Sequence, residues 1–136
     1  MRVLLLGGTG CLGGDVAALA AQKPDIELVL LNRGNRPQFV PAGALCLHGD
    51  ITRPEEVRAA LGDMTFDVVA DFLSYGVDQL ESNLRLFGGR CGQYVFVSSG
   101  AVYRTRSDCE IITEAGTLVL ENFAVRIAGA RRQWTM

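Results

Sequence analysis

Arg2 to Leu6 is an apolar run that ends directly in Gly7-Gly8-Thr9-Gly10-Cys11-Leu12-Gly13, and no other stretch constrains the fold as tightly. An apolar run without alternation predicts a strand buried on both faces. After it, Gly7, Gly10 and Gly13 form a GxxGxxG set. Residues from Gly14 to Gln22 then place Val16, Leu19 and Ala20 at helical spacing, until Pro24-Asp25 stops the helix. Glycines also serve simple turns, and an isolated motif would carry little. Here a second apolar run, Glu27 to Leu31, ends about twenty residues beyond the loop, the spacing of a strand-turn-helix unit that cradles a diphosphate. The glycines meet three physical demands, namely a tight turn at positive φ, close approach of backbone to phosphate, and close packing of helix on strand. The helix N-terminus adds free N–H groups and the positive end of its dipole. The candidate diphosphate-binding residues are therefore Gly7, Thr9, Gly10, Cys11, Leu12 and Gly13.

The rest of the chain continues the alternation. Arg33 to Gly43 has loop chemistry, and Ala44 to Leu47 predicts a weak third strand. Thr52 is the expected N-cap of a helix whose first turn holds Glu55 and Glu56 and whose buried face holds Val57 and Leu61; Gly62 closes it. Phe66 to Leu73 predicts a fourth strand. Val77 to Phe87, with Leu80, Leu84 and Phe87 in register, predicts a helix ending at Gly88-Gly89, and Tyr94 to Val97 a fifth strand. Parallel neighbours need crossover connections, so the order predicts an α/β fold: a doubly wound, Rossmann-like parallel sheet of about five strands with helices on both faces. The 136 residues, 49% of them apolar, suffice for one such core. Beyond Ser99 the pattern decays, and Leu120 to Gln133 reads as a helix without an obvious partner.

Charge and cysteine usage exclude several functions. A formal charge of −2 with scattered arginines lacks the basic stripe that nucleic acid requires. The longest apolar runs are too short for a membrane span or a signal peptide, so the expected compartment is the cytoplasm. Cys11, Cys46, Cys91 and Cys109 include no CxxC pair and His48 is the sole histidine, so no metal site is expected.

After the second strand, where an acidic residue would take the ribose 2′-hydroxyl of NAD, the chain has Asn32 and Arg33, with Arg36 close behind. Guanidinium groups suit a 2′-phosphate, and asparagine brings no carboxylate to repel it, so charge complementarity favours NADP over NAD as the cofactor. The competing reading is that Arg33 and Arg36 only solvate a loop.

With the glycine loop, Asn32-Arg33-Gly34, His48-Gly49-Asp50-Ile51, Phe66-Asp67-Val68-Val69-Ala70-Asp71-Phe72 and Tyr94 through Tyr103 in order, the chain resembles the extended short-chain dehydrogenase/reductases, and within them the NAD-dependent epimerase/dehydratase group. The resemblance covers residues 1 to about 114. It implies a NAD(P)-binding Rossmann domain over 1–114, followed by a divergent, helical tail over 115–136. It implies that Asp50 and Ile51 contact adenine and that Phe72, Leu73 and Ser74 line the cofactor, although the family usually has a small residue where Leu73 stands. It also implies that Ser99, just after the fifth strand, is the catalytic serine that orients a substrate hydroxyl or carbonyl.

The family's chemistry further needs a tyrosine with a lysine four residues later, because the ammonium lowers the phenol's pKa. The tyrosines are Tyr75, Tyr94 and Tyr103, followed at that distance by Gln79, Ser98 and Ser107, and the sole lysine is Lys23. An arginine such as Arg126 stays protonated and cannot relay a proton. The expectation is the N-terminal, cofactor-binding piece of a nucleotide-sugar epimerase/dehydratase-like oxidoreductase, lacking catalysis as an isolated chain. The alternative is a non-catalytic NAD(P)-binding sensor or partner-binding module. The expected partners are the dinucleotide, a nucleotide sugar and a second copy of the chain, since a sheet that stops at its fifth strand leaves an open edge.

Overall fold

The structure is a computed structural model that describes residues 1–99. The chain divides into two units, Met1–Val97 and Ser98–Met136, and the first carries every element described below. The expected domain boundary near residue 114 and the expected helical tail lie outside the described residues.

Five strands form one parallel sheet: β1 (Arg2–Leu6), β2 (Glu27–Asn32), β3 (Leu45–His48), β4 (Phe66–Asp71) and β5 (Cys91–Phe96), in the order β3-β2-β1-β4-β5. Register is direct, with Leu4 beside Val29 and Val69. Three helices make the crossovers: α1 (Cys11–Ala20) between β1 and β2, α2 (Pro54–Leu61) between β3 and β4, and α3 (Val77–Phe87) between β4 and β5. The β2-to-β3 connection has only a short 3-10 turn at Pro37–Phe39, as its two prolines and two glycines imply.

The alternation of side chains along a strand builds two cores. Leu4, Leu6, Val29, Leu31 and Val69 point to one face, where they meet Val57 and Leu61 of α2 and Leu86 and Phe87 of α3. Val3, Leu5, Leu28, Leu30 and Ala70 point to the other, where Ala17 of α1 covers them. Each buried leucine contributes roughly 1.5–3 kcal/mol, and β1 and β2, apolar on both faces, anchor both cores.

Several boundaries differ from expectation for identifiable reasons. Helix α1 starts at Cys11 rather than Gly14, because Gly10 already has the extended backbone of an N-cap (φ −82°, ψ −177°). Its buried face is Gly13 and Ala17, whereas Val16 and Leu19 are exposed. The helix lies so close to β1 that a Cβ on Gly13 would fall on the Gly7 carbonyl, so only small side chains fit underneath. Thr52 does not cap α2: Arg53 is the N-cap residue, and the Thr52 N–H and hydroxyl both donate to Asp50 Oδ1, at 2.9 and 2.7 Å. Strand β4 ends at Asp71 rather than Leu73, because the Asp71 carboxylate turns the chain by accepting the N–H groups of Leu73 and Ser74. Strand β5 starts three residues earlier than its apolar pattern suggests, as Cys91 pairs with Phe66. Strand β3 runs one residue later than expected, with His48 beside Asn32.

Candidate functional site

Between β1 and β4 the strand order reverses. Crossovers leave this point in opposite directions, so a crevice opens beyond the carboxyl ends of the strands, the usual ligand position in open α/β sheets. A cleft of about 550 Å³ occupies this position. Its floor is Gly7, Thr9 and Gly10. Gly7 has φ +86°, a left-handed conformation that side chains resist, and its carbonyl accepts the Gly10 N–H at 2.9 Å. A Cβ on Gly10 would come within 3.2 Å of that carbonyl. The first N–H groups of α1 have no acceptor within the helix, and no acidic residue lies in its first turn.

The next wall is the end of β2. Asn32 Oδ1 accepts the Gly34 N–H at 2.7 Å, and Asn32 Nδ2 donates to Cys46 Sγ at 3.3 Å. The asparagine thus closes a turn with its own side chain, the behaviour expected of an Asx turn. Gly34 has φ +77°, and a Cβ there would meet the His48 ring at 2.9 Å, so the turn requires glycine. Its product is an exposed Arg33 that lines the cleft with Asn35 and Arg36.

Across from these arginines stand Gly49, Asp50, Ile51 and Thr52. Asp50's carboxyl lies below the ordinary aspartate range. Hydrogen bonds from the Thr52 backbone and hydroxyl are the main cause, and the positive charges of Arg33 and Arg53 assist. Both Thr52 bonds fall on Oδ1, so Oδ2 stays available to a ligand donor. Ile51 is buried at the same rim.

The β4 end supplies the last wall through Leu73, with Tyr75 and Gln79 beside it. This loop hangs on Asp71, which is 0% exposed. Asp71 Oδ1 accepts the Leu73 N–H at 2.8 Å and the Ser74 N–H at 3.0 Å. Asp71 Oδ2 accepts the Ser74 hydroxyl, Asn83 Nδ2 at 3.1 Å and the Tyr94 hydroxyl at 2.6 Å. Burial is the largest single influence on this carboxyl and pushes its pKa up. The combined donations from Ser74, Tyr94, Leu73 and Asn83 outweigh it, leaving the group below the ordinary aspartate range. Tyr94 is driven the other way: burial first, then its bond to Asp71, raise its phenol above the usual tyrosine range. Tyr94 is therefore a fixed donor rather than a proton shuttle.

Of the residues expected to bind a dinucleotide, the cleft brings together Gly7, Thr9, Gly10, Asn32, Arg33, Arg36, Asp50, Ile51 and Leu73. Cys11 and Leu12 occupy the exposed first turn of α1, and Gly13 lies buried beneath it; none of the three lines the cleft. Ser74 serves the Asp71 network, and Phe72 packs on the core beneath α1. Ser99 lies three residues past β5 and is exposed. Sequence reasoning missed Leu31, Asn35, Gly49, Thr52, Tyr75 and Gln79 as lining groups. Two of them carried a signal: Gly49 by its place before Asp50 in the motif after β3, and Thr52 by its place two residues after that aspartate.

No protein-family model matches the chain, and no curated protein sequence matches it at a significant level. Solved structures do match. UDP-glucose 4-epimerase superposes with a TM-score of 0.71 at 17% identity, covering 87% of this chain and 41% of that one. dTDP-glucose 4,6-dehydratase from Bacillus anthracis str. Ames, in complex with NAD, gives 0.66 at 17% identity, covering 87% and 44%. A short-chain dehydrogenase/reductase from Veillonella parvula DSM 2008, in complex with NADP, gives 0.62 at 16% identity, covering 74% and 48%. The chain thus spans less than half the length of each of these structures. Its fold is the Rossmann fold of the dehydrogenase/reductase and epimerase/dehydratase structures, the group that its sequence motifs resemble.

Proposed function

We propose that the cleft binds a nicotinamide dinucleotide, NADP in preference to NAD, and that the chain is the cofactor-binding part of a nucleotide-sugar epimerase/dehydratase-like oxidoreductase acting in the cytoplasm. The observation that carries this reading is the cleft itself, which joins a floor of Gly7, Thr9 and Gly10 at a helix N-terminus to a pair of exposed arginines and an aspartate. Gly7, Thr9 and Gly10 would hold the diphosphate, Arg33 and Arg36 a 2′-phosphate, and Asp50 with Ile51 the adenine. When bound, the nicotinamide supplies a hydride donor or acceptor.

Ser99 stands as the proposed remnant of the substrate site. A non-catalytic sensor or partner-binding module is the second reading, and one observation favours it: Tyr94 is committed to Asp71, and no tyrosine of the chain has a lysine four residues on. Fluorescence titration with NADPH and NADH tests the shared premise, and absence of binding by a folded sample would remove it. Turnover of nucleotide sugars by the isolated chain would defeat the module reading.

Two expectations follow from the geometry. Arg33→Ala and Arg36→Ala are each expected to weaken NADPH binding by about tenfold and leave NADH within about twofold, since a charge-assisted contact to phosphate contributes on the order of 1.5 kcal/mol. Equal losses for both cofactors would assign the arginines to the diphosphate or to solvent instead. Strand β5 pairs only with β4 among the described residues and exposes Val95 and Phe96. Self-association is therefore expected at high concentration, and a strictly monomeric sedimentation profile would reject it.

A further inference from the structure

We infer that Leu73 makes the adenosine diphosphate half of a dinucleotide the part this cleft grips, with the nicotinamide half adding little to affinity. The inference rests on the proposed dinucleotide site and concerns which part of the ligand that site reads.

With the diphosphate over Gly7 and Gly10, the two nucleosides must leave in opposite directions along the sheet, one towards β2 and β3 and the other across the end of β4. The first direction is open and polar, with Arg33 and Asp50 facing the cleft. The second begins at Leu73. Its side chain lies directly against the loop: a Cβ placed on Gly7 would come within 2.8 Å of both Leu73 Cγ and Cδ2. A ribose seated against Leu73 meets branched apolar carbon that offers its hydroxyls no hydrogen bond, and covering a hydroxyl without a partner is unfavourable; the polar groups of this wall belong to Tyr75 and Gln79, beside Leu73.

Leu73 cannot easily step aside. Its N–H is held by Asp71 Oδ1, and the following Ser74 donates both its N–H and its hydroxyl to the same carboxylate. That carboxylate is 0% exposed and is gripped from β5 by Tyr94 and from α3 by Asn83. The side chain also packs on the core shared with α2 and α3. An alanine at this position would free the volume beside Gly7 without touching the arginine side of the cleft.

The test pairs each dinucleotide with its adenosine diphosphate half, which lacks the second ribose, on the full chain: NADPH against 2′-phospho-ADP, and NADH against ADP, by calorimetry. In the wild type each pair is expected to agree within about threefold. Leu73→Ala is expected to tighten the whole dinucleotide about fivefold or more while leaving the truncated probe unchanged. A wild-type preference for the whole dinucleotide above about threefold overturns the inference and leaves the dinucleotide site standing. An equal gain or loss for both probes in a folded Leu73→Ala protein also overturns it. Failure of all four probes to bind the wild type overturns the dinucleotide site itself. The wild-type comparison needs no variant, so it decides the matter even if Leu73→Ala does not fold.

Discussion

Asp71→Asn is expected to destabilise the protein by about 3 kcal/mol at neutral pH, which lowers Tm by roughly 12–24 °C for a unit the size of Met1–Val97. The substitution keeps the shape and removes one acceptor. Three side-chain donors, from Ser74, Asn83 and Tyr94, converge on Oδ2, and two backbone N–H groups converge on Oδ1. An amide has one oxygen, so in either orientation its NH₂ faces donors in a site closed to water. The pH dependence has a defined sign. The folded pKa is lowered, so the stabilisation is fully present above the unfolded value of about 3.9 and is lost as pH falls through the folded value. Urea denaturation should therefore show a large gap between wild type and Asp71→Asn at pH 7 that narrows below about pH 4. Tyr94→Phe, which removes one donor of five, should cost only about 1 kcal/mol. An Asp71→Asn protein as stable as wild type at pH 7 would mean that the carboxylate does not anchor the loop.

The parts of this fold that are legible in the sequence are those governed by apolar burial along the chain. Strands β1 and β2 are apolar on both faces, which a surface strand is not, and their shortness and flanking glycine or proline separate them from a buried helix. Helices α2 and α3 carry wide apolar stripes, and Val57, Leu61 and Phe87 are buried where the stripes place them. Helix α1 departs from its apolar pattern because its contact is set by closeness rather than by hydrophobicity. When a helix rests on a strand at the distance Gly13 imposes, the larger apolar residues Val16 and Leu19 are turned outward.

The site divides in the same way. Residues proposed to bind through backbone or charge, such as Gly7, Gly10, Arg33 and Asp50, announce themselves by type and spacing, and all four line the cleft. Residues that act through another do not. Asn32 lines the cleft and also closes the turn that presents Arg33. Thr52 looks like a helix cap and instead braces Asp50. Asp71 reads as one more residue in a strand motif, although three elements converge on it, because its donors from Tyr94 and Asn83 lie 23 and 12 positions away. Local pattern carries no trace of such separated partners.

Gly13→Ala is expected to weaken dinucleotide binding at least about tenfold, while Gly14→Ala, one residue on, preserves it and raises stability. The two glycines sit in the same turn of α1 and differ only in what lies beneath them. A Cβ on Gly13 would press onto the Gly7 carbonyl, with the Gly7 carbonyl carbon at 3.0 Å and Gly8 Cα at 3.2 Å. These are backbone atoms, and Gly7 is already committed by its bonds to Gly10 and to Leu31. The helix must lift away from β1, which costs about 1–3 kcal/mol in packing and moves the N-terminal N–H groups off the position proposed for the diphosphate. A shift on the order of 1 Å is enough to weaken several such hydrogen bonds together, so a loss of at least about tenfold in affinity is expected. Gly14, by contrast, finds only the Gly8 carbonyl at 4.0 Å, and alanine there gains up to about 1 kcal/mol in helix propensity. Thermal melts combined with NADPH titration check both arms. Wild-type affinity in Gly13→Ala would show that the GxxGxxG spacing serves only the turn, and that the close seat of α1 on β1 has no part in binding.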